Sequence, residues 1–256
     1  MNSTNSRLSL VGAGPGDPDL ITLRAIKALE SADVVLYDAL ANEQLLDYAP
    51  ETSVKVFVGK RAGMHFRQQQ EINRMIVNYA KTCGHVVRLK GGDPYVFGRG
   101  HEELEYAQKH GIPTTYIPGI SSVVAVPGLI GVPLTKRGVN ESFWVVTGTL
   151  SDQRTARDLQ FAAQSSATVV ILMGVKKLPE IVDLFRRYRE ADEPVCMIQN
   201  GSKPEERSIV GDLNSILSIQ AEAGLSAPAI IVIGKVVREK RQRLHEMLEQ
   251  EIAMEK

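Results

Sequence analysis

Short apolar runs alternate along this chain with segments whose apolar residues recur every three or four positions. Residues 8–11 are one such run; it breaks at the turn-rich stretch 12–18, after which Leu23, Ile26 and Leu29 are spaced to bury one face of a helix. Residues 34–37 and 54–58 read as a second and third strand, ending near Asp38 and Lys60. Ile72, Met75, Ile76 and Tyr79 give the next helix a buried stripe, residues 86–89 return as a strand, and 102–109 resume a helix that stops at His110-Gly111. Repetition of strand, helix, strand predicts an α/β fold with a mainly parallel sheet in this half. Polar residues at the ends of such strands can face a cleft without occupying the core.

Pro118-Gly119, Pro127-Gly128 and Gly131-Val132-Pro133 then cut a weakly polar region into short pieces, and a new strand pattern begins at 143–146. Turn density and the change of pattern place a domain boundary here, giving an N-terminal α/β domain, 1–135, and a C-terminal α/β domain, 136–256. Further strands are expected at 168–172, 195–198 and 229–233, with helical signals at 178–188 and 213–219. A last helix containing Leu244, Met247 and Leu248 is expected to pack on the body or at a partner interface.

With 256 residues and a 43% apolar fraction, the chain can bury a substantial core. Its 30 Lys and Arg balance 30 Asp and Glu, so net charge draws it toward neither nucleic acid nor an anionic membrane, although a local basic pocket remains open. Cys83 and Cys196 are too few and too distant for a disulfide scaffold or a short-spacing zinc motif; buried, inert thiols and no metal are expected. The polar start lacks a secretory pattern, and no apolar run approaches the roughly 20 residues of a membrane span, so the expectation is a soluble, cytoplasmic protein.

Gly12, Gly14 and Gly16 follow the first strand and permit close backbone approach. The third glycine of a dinucleotide fingerprint would fall on Asp17, and no GKS or GKT phosphate motif is present, so a tight structural turn is an equally good reading. The segment KGGDPYVFGRG at 90–100 is more informative: it presents an acid in a compact turn and leaves glycine-made space beside it. Asp93 is alternatively a cap for a short helical turn through Val96.

Taken in order, VGAGPGD at 11–17, VVLYD at 34–38, VGKRAG at 58–63, RLKGGDPYVFGRG at 88–100, IPGISS at 117–122, GVPLTKR at 131–137 and VVTG at 145–148 resemble the tetrapyrrole methylase family over residues 8–237. The resemblance is to the branch that acts on uroporphyrinogen III. It implies two α/β domains with S-adenosylmethionine folded in the cleft between them, distinct from the Rossmann methyltransferases, and usually a homodimer. Carried over position by position, Pro15, Gly91, Gly92, Asp93, Val96, Ser121, Ser122, Met173 and Gly201 surround the cofactor. For Val96 and Met173, core packing would be the default without the flanking motifs. Ser121-Ser122 stands where the family commonly has Thr-Ala.

The resemblance further implies C-methylation of uroporphyrinogen III at C2 and C7, giving precorrin-2 through precorrin-1 and releasing S-adenosylhomocysteine. Asp38 aligns with the family's proton acceptor and Lys60 with its proton donor; a helix-capping role for Asp38 and a charge-neutralising one for Lys60 stand beside these. Arg61, His65, Arg88, Arg99, Lys136 and Arg137 are candidates for meeting the polycarboxylate substrate, with solvated surface charge as the alternative. His101, Lys136 and Thr149 replace the family's Gly, His and His, and RQQQ at 67–70 replaces VPQE. A later precorrin methyltransferase and a non-catalytic tetrapyrrole-binding protein are the competing functions. With no further domain expected, the product would pass to separate enzymes.

Overall fold

In the computed structural model, which describes residues 5–59, 68–150 and 156–240, the N-terminal unit is residues 1–122. Its sheet comprises β1 (Arg7–Gly12), β2 (Val34–Tyr37), β3 (Val54–Phe57), β4 (His85–Lys90) and β5 (Thr114–Ile117). All pairings are parallel, in the order β3-β2-β4-β1-β5. Parallel strands must be buried on both faces, and the alternation of side chains divides the work. Val11, Val35, Val87 and Leu89 pack toward α1 (Leu23–Glu30) and the short 3-10 helix Glu43–Tyr48. Leu8, Leu10, Val34, Leu36 and Val86 pack toward α2 (Gln69–Thr82) and α3 (Gly100–Lys109).

The buried face of α1 is rotated from its sequence expectation. Leu23 is 78% exposed, and burial falls on Ala25, Ala28 and Leu29. Thr22 caps the helix by accepting from Ala25 N at 3.2 Å, which starts it at Leu23 and turns the two alanines toward the sheet. Upstream, Asp17 accepts from Asp19 N at 2.9 Å and caps the 3-10 turn Pro18–Leu20. The glycine turn after β1 therefore runs into a separate capped turn before α1, unlike a dinucleotide fingerprint, whose turn opens a helix directly.

The second unit, residues 123–256, holds β6 (Phe143–Thr147), β7 (Thr168–Leu172), β8 (Pro194–Gln199), β9 (Arg207–Asp212) and β10 (Ala229–Ile233) in the order β6-β7-β10-β8-β9. Only β6 and β7 pair in parallel among these; the remaining pairs are antiparallel. Helices α5 (Asp158–Gln164), α6 (Leu178–Arg186) and α7 (Ile216–Ala223) cover one face. The other is covered by α4 (Ser122–Leu129), Val132, Leu134 and Val236-Val237.

The expected domain boundary was 135/136; the compact units divide at 122/123. The intervening residues join the second unit because Val123, Val126, Val132 and Leu134 share a core with Val170, Cys196 and Val232. Strands β5 and β9 and helices α4 and α5 were not anticipated. The first two are short and rich in polar residues, and α4 carries Pro127 within it, which the sequence presents as punctuation. The expected terminal helix lies outside the described residues. Of the two thiols expected to be buried, Cys196 is buried, whereas Cys83 is exposed because it follows the last turn of α2. Among the described residues, no helix is long and apolar enough to cross a membrane.

Candidate functional site

Parallel topology gathers the motif-bearing loops of the first unit at the C-terminal ends of its strands. The loop after β1 and the turn after β4 form an antiparallel bridge, with Gly14 N donating to Gly92 O at 3.3 Å and Gly92 N to Gly14 O at 2.6 Å. The segment after β5 crosses both. A Cβ on Gly12 would lie 2.4 Å from Gly119 N, and one on Gly119 only 2.3 Å from Gly92 O, so backbone contact requires glycine at positions 12 and 119. Gly92 itself has φ +64, and its missing side chain faces Ser122 N at 3.8 Å and Ser121 Cα at 4.0 Å. Pro15, Gly92, Ser121 and Ser122 are thereby brought to one place, and Gly91 packs against the loop after β2, where its Cβ would meet Leu40 Cβ at 2.4 Å.

Asp93 is buried and committed within the protein. Its Oδ1 accepts from Tyr95 N at 2.8 Å, while Oδ2 accepts from Tyr116 Oη at 2.6 Å and Gly119 N at 3.1 Å. The capping alternative is thus realised, and the same carboxylate ties the β4 turn to β5 and the loop beyond it. Burial, then the hydrogen bond to Asp93, pushes the Tyr116 phenol well above the usual tyrosine range. Tyr95 stacks on Tyr116, with ring centroids 4.0 Å apart. Beyond this lock, Val96 and Phe97 are exposed, and Phe97 and Arg99 take left-handed φ of 54° and 58°. Apolar side chains are thus presented outward around a glycine turn.

Asp38 stands just past β2. Its Oδ1 accepts from Leu40 N at 3.1 Å, a local turn in place of the helix cap expected there; Asn42 caps the 3-10 helix that follows. Its Oδ2 accepts from Arg88 Nη2 at 3.0 Å. Leu36 and Arg88 are register partners on β2 and β4, so strand alternation points Asp38, Arg88 and Lys90 to the face covered by α2 and α3. There Glu103, from the first turn of α3, receives Arg88 Nε at 3.3 Å, Lys90 Nζ at 3.0 Å and Gln69 Nε2 at 3.0 Å, all on Oε1. Glu103 Oε2 is buried with no hydrogen-bond partner among the described residues, at a cost of about 1–3 kcal/mol.

Burial works against the Arg88 charge, but the Glu103 and Asp38 carboxylates outweigh it and raise its pKa above the ordinary arginine value. For Lys90, burial and then the neighbouring Arg88 charge prevail and push the ammonium below the usual lysine range. Arg88 was expected among the cations facing substrate. It is instead 3% exposed, with Nη1 donating to Leu36 and Leu89 carbonyls and its remaining nitrogens to Glu103 and Asp38, because its strand position directs it inward. Arg99 is exposed and forms a bidentate pair with Glu102 at 2.8 and 2.7 Å. Lys60, Arg61 and His65 lie outside the described residues.

In the second unit, β7 and β8 both run antiparallel to β10, which brings their C-terminal ends to the same end of the sheet. Met173 follows β7 with φ 54° and is exposed; Gly201 follows β8, where a Cβ would meet Val126 Cγ1 at 2.3 Å. Thr149 Oγ1 donates to Met173 O at 2.9 Å, fixing the methionine's backbone. Lys136 pairs with Glu239 at 2.7 Å on the surface, and Arg137 is exposed. Among the described residues, no group of His, Cys, Asp and Glu is arranged to hold a metal ion.

The sequence and the fold match a known family. The profile of the tetrapyrrole (corrin/porphyrin) methylases aligns with residues 7–217. The chain belongs to this family. Among tetrapyrrole methylases, it is 44% identical to the uroporphyrinogen-III C-methyltransferase of Methanocaldococcus jannaschii, over 90% of this chain and 96% of that one. It is 41% identical to the S-adenosyl-L-methionine-dependent uroporphyrinogen III methyltransferase of Methanosarcina barkeri, covering 97% and 96% of the two chains. A crystal structure of the Thermus thermophilus uroporphyrin-III C-methyltransferase complexed with S-adenosylhomocysteine superposes with a TM-score of 0.77 at 41% identity, covering 91% and 99%. The fold is thus that of the tetrapyrrole methylases, not of the Rossmann methyltransferases. Sequence reasoning missed Glu103 and its partners Lys90 and Gln69; the available signal was Arg88 and Lys90 at alternate positions beside the apolar Val86, Val87 and Leu89.

Proposed function

We propose that this chain is an S-adenosylmethionine-dependent uroporphyrinogen III C-methyltransferase, adding methyl groups at C2 and C7 to give precorrin-2 through precorrin-1. One observation carries the choice of substrate: relatives named for this reaction are matched over at least nine-tenths of both chains. The glycine crossing and the outward apolar side chains beside it fit an adenosyl sulfonium ligand, since they offer backbone polar groups next to apolar surface. Pro15, Gly91, Gly92, Asp93, Val96, Ser121, Ser122, Met173 and Gly201 would hold it. Because Asp93 spends its carboxylate on Tyr95, Tyr116 and Gly119, its part is to shape the turn whose backbone meets the cofactor.

S-adenosylmethionine, when bound, supplies an electrophilic methyl group, and no protein nucleophile is needed. The protein's task is to orient the tetrapyrrole, exclude water and move a proton. Asp38 accepts the ring proton on its solvent-facing carboxylate, which is 22% exposed, while Arg88 holds its inner oxygen; Lys60 returns a proton. Arg99, Lys136 and Arg137, with Arg61 and His65, meet the substrate's carboxylates. The pairs Arg99–Glu102 and Lys136–Glu239 are surface pairs worth about 0–1 kcal/mol each, so exchange for a substrate carboxylate costs little.

The test supplies uroporphyrinogen III and methyl-labelled S-adenosylmethionine to the folded protein. A doubly methylated product is expected, and its absence overturns the reading. The chain acts as a homodimer, by resemblance to its family; a monomer mass in light scattering would overturn that.

A further inference from the structure

We propose that Glu103 is a positioning residue for methyl transfer, its buried carboxylate holding the Arg88 guanidinium in the orientation that fixes Asp38 Oδ2. The inference rests on the proposed role of Asp38. Arg88 is a single planar group that reaches Glu103 through Nε at 3.3 Å and Asp38 through Nη2 at 3.0 Å, so an anchor on one edge sets the direction of the other. Nη1 donates to the carbonyls of Leu36 and Leu89 at the ends of β2 and β4, completing a guanidinium fixed from every side.

Two cations and two anions meet here: Arg88 and Lys90 with Asp38 and Glu103. Lys90 balances the second carboxylate, and Gln69 adds a neutral donor to the crowded Oε1. Burying such a cluster costs desolvation that apolar residues of equal volume would avoid, so stability alone does not explain it. The gradient of exposure does. Glu103 is fully buried, Arg88 and Lys90 are nearly so, and Asp38 alone reaches solvent, at 22%. The network is therefore directed at one group, the carboxylate that would meet substrate.

Glu103→Gln is the informative substitution. Glutamine keeps the size and the Oε1 acceptor, and its amide replaces Oε2, which no donor among the described residues contacts. In an active wild-type background it should slow single-turnover methyl transfer roughly 5- to 10-fold, with S-adenosylmethionine affinity within about twofold. In an Asp38→Asn background the same change should alter turnover by less than about twofold, because the path ends at Asp38. A role confined to docking α3 on the sheet predicts equal fold-losses in both backgrounds, and that result overturns the proposal. So does a wild-type rate in Glu103→Gln. If Glu103→Gln does not fold, the charge-balanced pair Lys90→Met with Glu103→Gln replaces it in the same cycle, judged by the same outcomes. An inactive wild type overturns the proposed function and this role with it, whereas an active wild type matched by Glu103→Gln overturns this role alone.

Discussion

Arg88 and Asp38, fifty positions apart in the chain, meet at 3.0 Å between Nη2 and Oδ2 because their strands are neighbours in register. The other Asp38 oxygen takes Leu40 N. An acid held by two donors and still open to solvent on one edge is suited to accept a proton without moving.

Asp38→Asn should slow single-turnover methyl transfer roughly 10-fold or more, a loss of at least about 1.4 kcal/mol in transition-state stabilisation. Asparagine can offer its carbonyl to Leu40 or to Arg88, leaving its amide against the other donor, so a modest fall in thermal stability is expected alongside. Cofactor affinity should stay near wild type. Turnover at the wild-type rate would remove Asp38 from proton transfer.

Asp93→Asn addresses the lock after β4. Its amide must face either Tyr95 N or the pair Tyr116 Oη and Gly119 N, at a cost of about 1–3 kcal/mol. Because the turn shapes the expected cofactor site, affinity for S-adenosylmethionine should fall with stability. Calorimetry showing unchanged binding would separate Asp93 from that site.

His85 predicts a pH dependence of folding. It is buried on β4, with Nε2 at 2.8 Å from Ser9 Oγ and Nδ1 at 2.8 Å from Ser31 O, and burial lowers its pKa from the ordinary 6.5. The unfolded chain then binds the proton more readily than the folded one, so this contribution is complete above pH 6.5 and is lost as pH falls toward the folded value. Thermal unfolding between pH 8 and about pH 5 should show a decline that is shallower in His85→Gln. Equal slopes would exclude His85 as its source.

Arg189 should matter to the second unit more than a surface arginine would. Its guanidinium donates to the carbonyls of Ala162, Ala163, Ser165 and Ala167, pairs with Glu193 at 3.0 Å and lies over the Phe185 ring. It thereby satisfies the C-terminal end of α5, and Arg189→Ala leaves those groups and Glu193 without it. A loss of roughly 3 kcal/mol is expected in denaturant unfolding. A loss below about 0.5 kcal/mol would mark the contacts as incidental.

What the chain alone settled follows from local physics. Apolar runs of strand length separated by helical spacing determined the α/β class, and the ordered glycine motifs located the loops that end β1 and β4. Those signals act within a few residues. The choice of α1's buried face was not local: Leu23 and Ile26 outweigh the alanines in any reading of hydrophobicity, yet small Ala25 and Ala28 face the sheet. Strands β5 and β9 draw their stability from pairing with distant segments, so their own composition understates them. Arg88 shows the same limit in the site. As a residue type it suits a substrate carboxylate, and only the register of β2 with β4, together with α3 packed above them, turns it inward between Asp38 and Glu103. The sequence determined which charged groups exist near the motifs; the tertiary structure decided which of them face each other, because side-chain direction on a strand has meaning only once the neighbouring strand and the covering helix are in place.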